Sequence, residues 1–480
     1  MGEGKVSEEK KVATPVKAEV IRKTTETQKA KVTKEEEKHK ENTVYKEFEY
    51  DKIPVVDLVN EIINDAFNHR ASDIHFDPSG NVLNVRIRID GELINYATVP
   101  DSVRKNLSTR IKIIAGMNIT ETRLPQDGAI KMEFDGKKID MRVSSLPIVD
   151  GEKIVIRILD YSRSLEGLDS LGFTKANLKI VNDILKVPNG IILVTGATGS
   201  GKSTTVYSML QKLNREETNI ITVEDPVEMK MKGLNQVQVL SDIGLTFASA
   251  LRSILRQDPD VIMIGEIRDD ETARIAVRAS ITGHLVLSTI HTNNSLNTIE
   301  RLLDMDVERY LLGTALVGII SQRLAKKLCP KCRKERPTTK YEKIVFEQAL
   351  GQRVTKIYEP VGCKDCIRGY LGRLPIHEVL ELNQDIRDAI INNIRKDELR
   401  ELVYNKSKVK TILQDGLLKV IEGQTSFEEI LRLVDVEEDF GSNDSALKKA
   451  ILGKLEEDAK ANLYYEEENE DIEKDDYEVL

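Results

Sequence analysis

The chain is 480 residues long, 40 % hydrophobic and 31 % charged, with a formal net charge of −9. At roughly 100–200 residues per domain, that length predicts two to four domains and a sizeable core. Residues 435–480 carry a net −12 and residues 1–50 a net +1, so the body between them is near neutral, which argues against a strongly basic nucleic-acid binder.

Residues 1–50 mix Lys, Glu and Thr with almost no large apolar side chains. Such a stretch cannot bury enough surface to offset chain entropy, so a disordered charged tail is expected there. It contains no apolar segment of the secretory-signal kind. Apolar residues then recur at helical spacing over 56–70. Residues 84–89 (NVRIRI) alternate like a strand, and Asp90-Gly91 supplies a hairpin turn. A second helix is expected over 107–117, with strands over 139–143 and 154–159. Together these predict a small α+β domain over 51–162, connected onward through 165–171. From Ile191 the pattern becomes strand–loop–helix, repeated, which predicts an α/β domain with a doubly wound sheet over 163–434. The longest apolar run, 310–320, is closed by Ser321, Gln322 and Arg323, well short of the ~18 residues a membrane span needs. Residues 446–455 have helical spacing, but 435–480 as a whole reads as an acidic, solvated tail.

The strongest chemical signal lies at 191–213. An apolar strand (IILVT) runs into Gly196-Ala-Thr-Gly-Ser-Gly201-Lys202-Ser203, followed by a helix. This is the G-x-x-x-x-G-K-S phosphate cradle in its required strand–loop–helix setting. Gly196, Gly199 and Gly201 let backbone N–H groups curl toward phosphates, and the helix N-terminus adds about half a positive charge. Thr198, Ser200 and Thr204 complete the loop and first turn. Lys202 is placed to reach the β/γ-phosphates of ATP, and Ser203 to ligate Mg²⁺. A second strand, 220–223, ends at Glu224, Asp225, Pro226 and Glu228; a third, 261–264, ends at Gly265 and Glu266. Glu266 is the candidate to polarise the attacking water, with Glu224 and Asp225 holding the metal's water shell. The bland alternative for these carboxylates is helix capping or a solvated turn. A fourth strand, 285–289, is bracketed by His284 and His291. His291, beyond the strand's carboxyl end, is placed to sense a γ-phosphate, whereas His284 reads equally well as structural.

All four cysteines fall within 329–366, which excludes a disulfide-stapled secreted domain. Cys329, Cys332, Cys363 and Cys366 form two C-x₂-C pairs separated by 30 residues. Paired knuckles of this kind supply four thiolates to one Zn²⁺, and four protein ligands leave no open position, so a structural metal is expected. A redox CxxC is the rival reading, but it lacks an adjacent βαβ setting.

These motifs together resemble the secretion ATPases of the type II secretion and type IV pilus assembly class. The matching segments are ASDIHF at 71–76, RLPQDGAI at 123–130 and GEKIVIRIL at 151–159, then GATGSGKSTTVY at 196–207 and ITVEDPVE at 221–228. LRQDPDVIMIGEIRDDETA at 255–273, TGHLVLSTIHTNNS at 282–295 and the two cysteine pairs follow in the family's order. The resemblance implies a PAS-like small domain followed by a RecA-like ATPase domain, assembled as a homo-hexamer. It implies that ATP binds between the two domains, with small-domain arginines reaching the phosphates; Arg88, Arg110, Arg123 and Arg142 are the candidates by motif position. His284 and His291 fall in the family's His box, and Glu266 in an atypical Walker B strand. The implied partner is a polytopic inner-membrane platform protein, so the expected location is the cytoplasm, peripheral at the inner face of the membrane, with no nucleic acid as a partner. The cysteine pairs favour an extension or secretion ATPase over a retraction or DNA-uptake motor. A non-hydrolysing, nucleotide-gated scaffold is the reading from a different class. The polar residues 1–50 stand where family members commonly carry a folded docking domain, and the acidic tail has no counterpart.

Overall fold

The computed structural model describes residues 44–134, 137–159 and 167–434. The expectations for 1–43, the acidic tail and part of the 165–171 connection lie outside those residues.

The first unit opens with α1 (Val55–Asn68), whose Leu58, Val59, Ile62, Ile63 and Ala66 are all buried, as the helical spacing of 56–70 requires. Strands β1 (Asp73–Ser79), β2 (Val82–Ile89) and β3 (Glu92–Pro100) follow, then α2 (Asp101–Ile114), β4 (Gln126–Phe134), β5 (Lys137–Ile148) and β6 (Gly151–Leu159). They form an antiparallel sheet in the order β3-β2-β1-β6-β5-β4. Burial alternates residue by residue along β2, so one sheet face packs on the helices. The β2–β3 hairpin turns on Asp90 (φ 51°) and Gly91 (φ 93°), the two left-handed residues of a tight hairpin.

Residues 44–50, expected to belong to the tail, are part of this unit. Val44, Phe48 and Tyr50 pack against its core. Lys46 pairs with Glu61 at 2.6 Å and Asp65 at 2.7 Å on α1. Three apolar side chains within seven residues supply the burial that the preceding charged stretch lacks.

The second unit runs α3 (Lys175–Ile184), β7 (Gly190–Thr195), α4 (Lys202–Leu213), β8 (Ile220–Glu224), β9 (Asn235–Gln238), α5 (Phe247–Ile254), β10 (Val261–Ile264), α6 (Asp270–Ile281), β11 (Leu285–Ile290), α7 (Ser295–Asp304), α8 (Arg309–Ala315) and β12 (Leu316–Leu328). A C-terminal lobe adds β13 (Lys334–Pro337), α9 (Lys340–Leu350), β14 (Lys356–Glu359), β15 (Tyr370–Glu381), α10 (Gln384–Ile391), α11 (Lys396–Arg400), α12 (Ile412–Ile421) and α13 (Phe427–Leu433). Seven strands pair in the order β15-β12-β7-β11-β10-β8-β9, parallel throughout except for β15. Every residue of β7, β8 and β11 is buried, because helices cover both faces. α3 and α4 pack on one face, and α5, α6, α7, α8 and α10 on the other. The doubly wound sheet is therefore present.

Two outward backbone groups of the edge strand β15 are taken by side chains. Asp415 on α12 accepts the His377 N–H at 2.9 Å, and Lys419 one turn later donates to the Pro375 carbonyl at 2.5 Å. Asp415 and Lys419 are buried and pair with each other at 2.9 Å. The two units touch through the β2–β3 hairpin, where Asp90 accepts the Gly372 N–H at 2.7 Å and Glu92 pairs with Lys326. They touch again where Arg142 on β5 pairs with Glu228 at 3.0 Å.

Candidate nucleotide site and cysteine centre

Strands β7, β8, β10 and β11 run parallel, so the loops after them gather at one edge of the sheet, where ligands bind in such folds. The loop after β7 carries Gly196, Gly199 and Gly201 at φ of 147°, 78° and 88°. A Cβ at Gly196 would lie 2.3 Å from the Gln322 carbonyl, so only glycine fits. Gln322, on β12 and buried, donates from Nε2 to the Ser200 carbonyl at 2.6 Å and accepts the Thr205 hydroxyl at 2.6 Å. It thereby braces the loop from below and fastens it to the first turns of α4. Lys202 donates to the loop's own carbonyls, Gly196 at 2.8 Å and Ala197 at 3.1 Å. Burial pushes its pKa down, and the Glu266 carboxylate pulls it back up.

Glu266 lies just past β10. It pairs with Arg268 at 2.6 Å and faces the His291 Nε2 at 3.5 Å. Burial, then the nearby Lys202, lowers the His291 pKa below its ordinary 6.5, so the ring is neutral near pH 7. Thr289 at the end of β11 donates to the Gly265 carbonyl at 2.7 Å, and Ser288 to that of Ile264 at 2.8 Å, locking the two strand ends in register. Thr195 bonds the Thr292 carbonyl at 2.7 Å, which holds the His291 loop against the cradle. Lys202, Glu266, His291 and Arg268 thus form one cluster beside the phosphate loop. An ammonium, a carboxylate and a neutral imidazole in that arrangement can hold phosphate, polarise water and exchange a proton.

The structure treats the remaining candidates differently. Glu224 is buried and its carboxylate is fully engaged: Thr222 donates at 2.6 Å, Gln236 at 3.1 Å, and the Tyr207 phenol donates as well. It is a buried brace below the cradle. The Glu266 carboxylate raises the Arg268 pKa, and Asp225 lies near enough to add to that. Glu228 faces the small domain through Arg142. His284 is not brought to this edge. It precedes β11, its Nδ1 bonds the Ala279 carbonyl at 2.9 Å, and its own carbonyl accepts the N–H of Gly190 at the start of β7. The whole length of β11 separates it from His291.

Of the four arginine candidates, Arg142 meets the second unit within one chain. Arg88 bonds the Gly91 carbonyl at 2.8 Å and lies 3.8 Å from Asp73. Arg123 is exposed and pairs with Glu121. Arg110 keeps a buried Nε without a hydrogen-bond partner. Gln322, Arg268 and Tyr207 belong to the site's framework and were not singled out from sequence. A polar residue directly after an apolar run was the one signal pointing to Gln322.

The four cysteine sulfurs lie within 4.8 Å of one another. Cys329–Cys363, Cys332–Cys366 and Cys363–Cys366 are 3.9, 3.6 and 3.6 Å apart. A tetrahedron of thiolates at ~2.3 Å from zinc has edges of about 3.8 Å. Each pair forms a tight knuckle, with Cys332 N–H bonded to the Cys329 carbonyl at 3.3 Å and Cys366 N–H to that of Cys363 at 3.1 Å. Burial pushes the Cys366 thiol up to about 12. Four converging sulfurs, half of them buried, fit a dication such as Zn²⁺.

Among the described residues, no helix is long and apolar enough to cross a membrane. The family described as type II/IV secretion system protein matches residues 49–432. A type II secretion system protein E from Aeromonas hydrophila is 44 % identical over 384 residues, covering 80 % of this chain and 76 % of its own length. The type IV pilus assembly ATPase PilB of Myxococcus xanthus is 47 % identical over 391 residues, covering 79 % and 68 %. Among solved structures, the pilus retraction motor PilT with bound ADP aligns at a TM-score of 0.54 and 26 % identity, over 81 % of this chain and 99 % of that one. The Legionella pneumophila ATPase DotB shares the fold, at a TM-score of 0.58, 21 % identity and 78 % and 94 % coverage. A phosphate cradle flanked by Glu266 and His291, matched over most of its length to these proteins, places the chain in the type II/IV secretion system protein family.

Proposed function

We infer that the chain is an ATP-hydrolysing motor that powers type IV pilus assembly or type II secretion. The observation that carries this reading is the convergence of Lys202, Glu266 and His291 beside an intact phosphate loop, in a chain whose relatives are a pilus assembly ATPase and a type II secretion protein E. Lys202 exchanges the Gly196 and Ala197 carbonyls for nucleotide phosphates. Glu266 orients the attacking water and takes its proton, with His291 beside it as a neutral donor. Ser203, at the start of α4, would hold Mg²⁺, which neutralises developing phosphoryl charge. Arg142, on the small domain and already at the ATPase unit, is the arginine best placed to follow closure of the two domains onto the phosphates. The cysteine centre holds Zn²⁺ as a structural ion. The working unit is a homo-hexamer that pushes against a membrane platform protein from the cytoplasmic face.

The test is ATP turnover measured together with particle mass and zinc content, for wild type and Glu266→Gln. A hexamer-sized particle with one zinc per chain should hydrolyse ATP. Glu266→Gln should bind ATP yet lose turnover by roughly 100-fold or more. Unchanged turnover in that variant removes Glu266 from its role. A wild-type chain that binds ATP but never hydrolyses it, even with a platform protein's cytosolic domain added, would support a nucleotide-gated scaffold instead.

A further inference from the structure

The phenol of Tyr207 sits at a crossing of three elements. It lies on α4, five residues after Lys202, and is 2 % exposed. Its hydroxyl donates to Glu224 at the end of β8 and accepts the Met229 N–H at 3.4 Å. Glu224 also accepts from Gln236 on β9, and Gln236 donates to the Met229 carbonyl at 2.9 Å while accepting the Met231 N–H at 2.8 Å. The peptide groups on both sides of Met229 are therefore held by one polar network, buried at Tyr207 and Glu224 and half-buried at Gln236 and Met229, rooted in the helix that starts at the phosphate loop. The residue before Met229 is Glu228, which pairs with Arg142 of the small domain at 3.0 Å. Directional bonds in a low-dielectric interior hold such a joint in one geometry, where apolar packing alone would let it slide.

We propose that Tyr207 is a positioning residue that carries the state of the phosphate loop, through Met229 and Glu228, to Arg142 of the small domain. A shift of α4 on nucleotide binding moves the phenol. The phenol moves the Met229 peptide, and the Glu228–Arg142 pair moves with it. Glu224 serves this path as the buried acceptor that orients the phenol, and Gln236 as its second arm. A phenylalanine at 207 would pack as well but could not hold the loop. Burial and the adjacent Glu224 carboxylate raise the Tyr207 pKa well above its ordinary value, so the hydroxyl stays a donor at every working pH. The proposal rests on the motor reading for its consequence in turnover, though not for the mechanical path.

The experiment compares wild type, Tyr207→Phe and Gln236→Ala as full chains. Amide hydrogen exchange at 225–232 and at 139–145 of β5 is measured with and without a non-hydrolysable ATP analogue, alongside analogue Kd and steady-state kcat. In wild type, the analogue should slow exchange in both segments. In both variants the response at 139–145 should vanish and kcat should fall roughly 10-fold or more, while Kd stays within roughly threefold. Gln236→Ala keeps the Tyr207–Glu224 bond but frees the Met229 carbonyl and the Met231 N–H, so if Tyr207→Phe folds poorly it still tests whether the Met229 joint carries the response. A nucleotide response at 139–145 that persists in either folded variant, or is missing from wild type, overturns the proposal. So does a Kd that weakens in step with kcat. Absence of turnover in wild type would refute the motor reading alone, because the exchange and Kd measurements need no hydrolysis.

Discussion

Replacing Gln322 with Met tests how the phosphate loop keeps its shape. Met is close to isosteric with Gln, so the cavity contribution is small at a site 2 % exposed. What disappears is polar. The Thr205 hydroxyl loses its acceptor at 2.6 Å, but it can turn to the Gly201 carbonyl one turn back, a net loss of about 0.5–1.5 kcal/mol. The Ser200 carbonyl loses the donor at 2.6 Å, and leaving a buried acceptor unmatched costs about 1–3 kcal/mol. The total is about 1.5–4.5 kcal/mol. If the loop keeps its shape, that sum appears as lost stability in urea unfolding without nucleotide. If the loop relaxes, it appears as weaker ATP binding, by roughly 10- to 2000-fold, read with a fluorescent ATP analogue. The two readouts together should account for at least ~1.5 kcal/mol. A variant within about 0.5 kcal/mol of wild type in both measurements would refute the idea that Gln322 braces the loop.

Stripping zinc with a chelator, or substituting Cys332→Ser, should release one zinc per chain and raise amide exchange across 329–366, while ATP-analogue binding stays intact because the phosphate loop lies in a separate part of the sheet. Loss of analogue binding on the same treatment would count against a purely structural ion. His377 carries a pH prediction. Burial, with the Lys419 charge on α12 adding to it, holds its pKa well below the ordinary 6.5, and neither ring nitrogen has a partner. The unfolded chain takes a proton there and the folded chain does not, so stability is full above about pH 6.5 and falls as pH drops below it. His377→Phe keeps the stack on Phe173 and removes the titration. Between pH 7 and 5.5, wild type should lose about 1 kcal/mol more than the variant in urea unfolding; equal losses would contradict the assignment.

The phosphate loop was legible because its chemistry is local: six consecutive residues between a strand and a helix determine their own backbone path. Glu266 and His291 were legible for a related reason, since a residue just past a parallel strand's carboxyl end lands at the ligand edge. The same rule, applied to strand direction, places His284 at the opposite edge, because it precedes β11. Glu224 reads as a ligand in one dimension and becomes a brace in three, since its donors come from α4 and β9. The run at 310–320 looked closed by Ser321, Gln322 and Arg323, yet β12 continues to Leu328. Those polar residues are spent on the cradle and the neighbouring loops, partners that no local pattern reveals. Residues 44–50 escaped for the opposite reason: a short apolar stretch is swamped by the charged composition before it.

The buried Asp415–Lys419 pair bears on how copies of this chain can meet, because it occupies two backbone groups on one flank of the seven-stranded sheet. A central sheet with an open flank invites another strand to add itself, and identical chains at close quarters would offer that invitation repeatedly. Here the outward N–H of His377 and the outward carbonyl of Pro375 are taken by two side chains from one helix. At the other flank, β9 is only four residues long. At this sheet, copies of the chain are therefore directed toward side-chain surfaces that can slide and re-form, and away from a backbone ladder that would lock. A machine that changes shape with each nucleotide needs joints of that kind.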